Sequence, residues 1–125
     1  MPSTDITVRV TSTAPINMQL LNDIDGDGVA ETPINLSGAN HLELYLINGD
    51  TGGTTIYKTT DSSPKVAIAA GTAGSVSFTP NGTADLNIRS NGQLNIYSGY
   101  WWVYTTANSK YAVPDGFEFA IKVKP

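Results

Sequence analysis

Gly99-Tyr100-Trp101-Trp102-Val103-Tyr104-Thr105-Thr106 is the densest aromatic run of the chain and holds both of its tryptophans. Aromatic and β-branched residues suit the pleated, half-buried surface of a strand. Successive side chains of a strand point to opposite faces. Tyr100, Trp102 and Tyr104 therefore share one face, and Trp101 and Val103 the other. Large groups on both sides imply that one face is core and the other a contact surface. The reading places Tyr100 and Trp102 inward and Trp101 outward.

The flanking sequence repeats the same period. His41 to Asn48 sets Leu42, Leu44 and Leu46 against Glu43 and Tyr45, and should form a central strand. Phe117 to Lys124 alternates Phe117, Phe119, Ile121 and Val123 with Glu118, Ala120, Lys122 and Lys124, a strand with one buried and one solvated face. Asp5 to Thr11, Ile16 to Leu21, Thr54 to Thr60, Val66 to Ala70, Ser75 to Thr79 and Lys110 to Val113 are shorter segments of the same kind. Gly, Pro, Asn and Asp punctuate them, as at Asn48-Gly49-Asp50, Ser62-Ser63-Pro64 and Pro80-Asn81-Gly82. Thr83 to Asn95 has room for a single helical turn. About seven to nine short strands with turn signals between them predict an all-β antiparallel β-sandwich.

The 125 residues fit one domain, residues 1–125. A charged fraction of only 14%, with abundant Thr, Ser, Asn and Gly, describes a weakly charged polar surface. The net charge of -4 and the scattered basic residues argue against nucleic acid, which is held by clustered Lys and Arg. No cysteine is present, so neither a disulfide framework nor a thiolate site is available. Met1 to Asp5 lacks a basic region followed by an apolar stretch, and no apolar run reaches the roughly 20 residues that span a bilayer. These features predict a chain made in the cytoplasm without a signal peptide and without a membrane partner.

Three groups of residues could carry chemistry. Asp23-Ile24-Asp25-Gly26-Asp27-Gly28 places carboxylates at alternate positions before Gly, as in the first half of a calcium loop. The second half departs, because the twelfth position from Asp23 is Ile34 while Glu31 stands at the ninth. Asp23, Asp25, Asp27 and Glu31 are the candidate calcium ligands, against the plainer reading of a solvated Asx-rich loop; no other cofactor is expected. His41 is the only histidine, and no local signature joins it to a Ser-His-Asp arrangement. No catalytic residues are assigned and the chain is not read as an enzyme. The third group is aromatic: Tyr97, Trp101 and Tyr111 are the candidate contact residues, able to stack on sugar rings or anchor a protein partner.

Four features occur in order along the chain: DGDGVAETPINLSGA before His41, GTAGSVSFTP, Asp85 followed by Ser98-Gly99-Tyr100-Trp101, and the closing YAVPDGFEFAIKV. This series resembles the N-terminal domain of phage baseplate upper proteins and the small phage virion proteins similar to it, over roughly Asp5 to Val123. Two departures stand out: the longer, more acidic loop from Asp23 to Glu31, and Asn87 to Tyr97, which looks like an insertion. The resemblance implies an immunoglobulin-like β-sandwich serving as a virion building block in tail, baseplate, neck or capsid decoration. It would work through multivalent contacts with other virion proteins and with copies of itself. The alternative of a different class is an adhesion module that binds a host-surface glycan or receptor through its exposed aromatics.

Overall fold

A computed structural model of the chain describes residues 4–22, 32–106, 110–112 and 118–125. Its strands, in order, are β1 (Thr4–Arg9), β2 (Ile16–Gln19), β3 (Leu21–Asn22), β4 (Thr32–Pro33), β5 (His41–Asn48), β6 (Thr54–Lys58), β7 (Val66–Ala70), β8 (Ser75–Phe78), β9 (Asn95–Tyr104), β10 (Lys110–Ala112) and β11 (Glu118–Lys124). The helical content among the described residues is two single 3-10 turns, Gly71–Ala73 and Gly82–Ala84. No described helix is long and apolar enough to cross a membrane.

Two sheets face each other as a β-sandwich. The larger has the order β1-β11-β9-β5-β6, with β10 also pairing β9; the smaller is β2-β8-β7. A two-residue ribbon joins β3 and β4. The inner faces meet in one core, in which Leu42, Leu44, Leu46, Trp101, Val103, Ile121 and Val123 from the larger sheet cover Ile16, Met18, Val66, Val76 and Phe78 from the smaller. Leu20, Ile34 and Leu36, on the connecting segments, complete it. Each such side chain contributes about 1.5–3 kcal/mol on burial, so cysteine-free packing accounts for the fold.

Two features of the larger sheet differ from the expectation. β1 runs parallel to β11, pairing Ile6 with Ile121 and Val8 with Val123, so the sandwich is not antiparallel throughout. The period of two identifies faces but not strand direction. β9 also begins at Asn95 rather than at Tyr100, because Asn95 to Tyr100 continue the ladder with β11. Part of the segment read as an insertion is thus the first half of the longest strand.

β9 approaches its neighbours closely because of Gly99. The Phe119 ring of the paired strand lies directly over Gly99, in the space where a Cβ would stand. A ring covering a strand glycine restores the packing that the missing side chain forfeits. Asp85 joins the two sheets at the other end of the core. Its Oδ1 accepts from the Tyr57 hydroxyl of β6 at 3.0 Å and from Lys65 Nζ, just before β7, at 2.8 Å; its Oδ2 accepts from the Asn81 amide at 2.6 Å. Burial, and then the neighbouring Asp85 charge, hold the Tyr57 hydroxyl protonated well above the ordinary tyrosine range.

Candidate functional site

The outer face of the larger sheet is built from β5, β6 and β9. Glu43 lies opposite Lys58 on β6 and Trp102 on β9; Tyr45 opposite Ile56 and Tyr100; Ile47 opposite Thr54 and Ser98. Three rows of three side chains follow. Leu42, Leu44 and Leu46 occupy the opposite face of β5, which forces Glu43 and Tyr45 outward, as the alternation in HLELYLIN predicted.

Glu43 nevertheless retains only 6% exposure. Burying a carboxylate is tolerated when hydrogen bonds and charges replace its water. Its Oε1 accepts from the Tyr104 hydroxyl at 3.1 Å and from the Tyr45 hydroxyl at 3.3 Å. Its Oε2 lies 3.3 Å from His41 Nε2 and 4.0 Å from Lys58 Nζ. His41 stacks on Tyr104 with ring centroids 4.0 Å apart and places Nδ1 2.7 Å from Asn40 Oδ1. Tyr104 is therefore buried without joining the central core. The carboxylate holds two tyrosine rings down on the sheet.

Beside this cluster the aromatic rings of β5 and β9 touch one another. Tyr45 and Tyr100 stack at 5.2 Å and 19°, and Trp102 meets both edge-on at 6.3 Å. All three are half-buried, and Ile56 at the end of their row is 43% exposed. Such cross-strand ring pairs add about 0.5–1.5 kcal/mol beyond their buried area. The arrangement offers a fixed aromatic surface with Lys58 and Ser98 at its rim. His41 and Glu43 form an imidazole–carboxylate pair, but no Ser or Thr hydroxyl is among the hydrogen-bond partners of His41.

The structure reverses the expected orientation of the aromatic strand. Trp101 is 1% exposed and fully within the core, while Tyr100 and Trp102 lie on the outer face. The alternation was right and its polarity wrong. Tyr and Trp on the outer row keep their polar tips near water, whereas the purely apolar Val103 shares the inner face with Trp101. The Trp101 indole Nε1 is, among the described residues, the one buried side-chain polar atom without a hydrogen-bond partner.

Tyr97 is likewise no contact residue, with 6% exposure. Its hydroxyl accepts from Asn48 Nδ2 at 3.2 Å and from the Asn87 amide at 3.0 Å. The fully buried Asn95 continues that network, donating from Nδ2 to Asn48 Oδ1 at 2.9 Å and to the Asn87 carbonyl at 3.1 Å. Tyr97 thus pins the segment after Asp85 to the β5–β6 turn. Tyr111 lies on β10, opposite Val103, and its side chain is outside the described residues. The candidate calcium ligands Asp23, Asp25, Asp27 and Glu31 also lie outside them. Among the described residues no three His, Cys, Asp or Glu side chains converge as a metal set.

Glu43, Tyr45, Tyr100, Trp102 and Tyr104 form the cluster that sequence reasoning did not assemble. The available signal was the pairing of two alternating strands, each with a wholly apolar face and a face of hydroxyl- or N–H-bearing rings. No protein-family model and no curated protein sequence matches the chain.

Proposed function

We propose that this protein is a structural component of a bacteriophage particle, in the tail or baseplate or as a capsid decoration or neck protein, and that it acts through repeated protein–protein contacts rather than catalysis. One observation carries the reading: the segments on which the resemblance to baseplate upper proteins rests coincide with the joints of the sandwich. Ile34 and Leu36 of PINLSGA are core residues, and Gly74 takes a left-handed φ of 68° where a Cβ would press on the Leu20 and Ile34 backbone. Asp85 ties the two sheets, Gly99 receives the Phe119 ring, and Phe119, Ile121 and Val123 close the core. A motif whose members hold a scaffold together, without converging on a cleft, suits an architectural domain.

In this reading the particle is the site of action, and its symmetry supplies the multiplicity of contacts. The test is gold-labelled antibody against the chain on particles purified from a lysing culture that encodes it. Label at regular positions on heads or tails is the expected result. Label confined to the soluble fraction, with particles bare and complete, would refute the proposal.

A further inference from the structure

The geometry points to a second role for the outer face of the larger sheet: we infer that Tyr45, Tyr100 and Trp102 form a platform for an uncharged pyranose of a polysaccharide or glycan. The inference does not depend on the chain belonging to a particle.

Three observations converge on that ligand class. The rings form one contiguous surface, Tyr45 against Tyr100 at 5.2 Å and Trp102 at 6.3 Å from both, half-buried yet open to solvent. The apolar C–H face of a sugar stacks on such rings, and preorganised rings lose little entropy in accepting it. Glu43 supplies that preorganisation as a positioning residue: it accepts from the Tyr45 hydroxyl at 3.3 Å and from the Tyr104 hydroxyl at 3.1 Å.

The charge of the face selects a neutral occupant. Glu43 is the one acidic group in the three rows, and it is countered by Lys58 at 4.0 Å and flanked by His41 at 3.3 Å. Lys58, with its side chain 46% exposed, and the exposed Ser98 stand at the rim, where sugar hydroxyls need donors and acceptors. Size points the same way. With strands about 4.8 Å apart, the row from Ile56 through Tyr45 to Tyr100 is roughly 10 Å across. That is the footprint of one or two sugar rings and far below the ~800 Å² per partner of a stable protein interface.

The experiment uses the full chain on an array of neutral and charged pyranose glycans. A companion titration follows Trp102 emission in the Trp101→Phe variant, where Trp102 is the remaining tryptophan. The expected result is binding to at least one neutral glycan with a shift in Trp102 emission. Trp102→Ala and Tyr100→Ala should each weaken binding at least ten-fold, Trp102→Phe less, while all remain folded by circular dichroism. Silence across the array overturns the inference, as does binding that survives both alanine variants, or a preference for charged glycans abolished by salt. Capture of a particle protein that Trp102→Ala abolishes, without any glycan binding, also overturns it by making the face a protein interface. Labelled particles together with a silent array would sink this inference alone.

Discussion

Adjacent residues on one strand have opposite fates: Trp101 is sealed in the core at 1% exposure, and Trp102, one position on, is half-buried on the outer sheet face. The inner face of β9 meets a second sheet and is filled by apolar contact. The outer face has no second layer, and its order comes from a buried carboxylate that ties tyrosine hydroxyls and from rings resting on one another. One face is held by volume, the other by polar geometry. The two should fail in different ways.

The largest expected difference is between the tryptophans themselves. Trp101→Ala should cost about 3–5 kcal/mol, the range for a large core aromatic, and Trp102→Ala about 1 kcal/mol. Urea denaturation of both variants measures this; equal losses would abolish the distinction between the faces. Trp101→Phe sharpens it. That change removes a buried N–H without a partner, whose burden is about 1–3 kcal/mol, so it should be far milder than Trp101→Ala.

On the outer face, Glu43→Ala removes the acceptor shared by Tyr45 and Tyr104. The loss should be about 1.5–3 kcal/mol, the range for hydrogen bonds to a charged group. Near-ultraviolet circular dichroism should report loosened tyrosines while the core Trp101 signal persists. A collapse of both signals would mean that the faces are not separable.

Gly99→Ala tests whether the inner face is as full as it looks. Its Cβ would meet the Phe119 ring, so overpacking should cost about 1–3 kcal/mol. Pairing it with Phe119→Leu should recover part of that loss in thermal melts, because the smaller side chain vacates the space. An additive double variant would show that the ring is not what resists the methyl group.

The smallest effect is a pH dependence within the core. Folded Tyr57 keeps its proton above the ordinary value near 10, while unfolded Tyr57 releases it there. Above about pH 10 the unfolded state therefore binds fewer protons than the native one, and stability falls as pH rises; below that value the contribution is complete. Tyr57→Phe lacks this dependence, so the stability gap between wild type and variant should narrow between about pH 9 and about pH 11. A constant gap in urea midpoints would contradict the raised ionisation of Tyr57.

Much of this architecture is legible before folding. The strands around Leu42 to Leu46, Val76 to Phe78 and Phe119 to Val123 follow from period-two alternation, and the turns from Gly, Pro, Asn and Asp. Glu43 and Tyr45 were separable from Leu42, Leu44 and Leu46 for the same reason. The candidate site was less legible. Tyr97 and Trp101 were expected as contact residues, yet Tyr97 anchors an asparagine network and Trp101 fills the core.

Local pattern in this chain specifies strands, turns and the grouping of residues into faces, because those depend on backbone geometry within a few positions. It does not specify which aromatic face turns inward, since Tyr100–Trp102 and Trp101–Val103 are both apolar enough to be buried. The pairing of β9 with β5 resolves that choice by aligning Trp101 with Leu44 and Val103 with Leu42, so one continuous apolar surface meets the second sheet. The same register sets Trp102 opposite Glu43 and Tyr100 opposite Tyr45, creating an outer aromatic surface from residues more than fifty positions apart. The parallel contact of the first and last strands is equally a product of assembly, because no property of either strand alone encodes the direction of its neighbour.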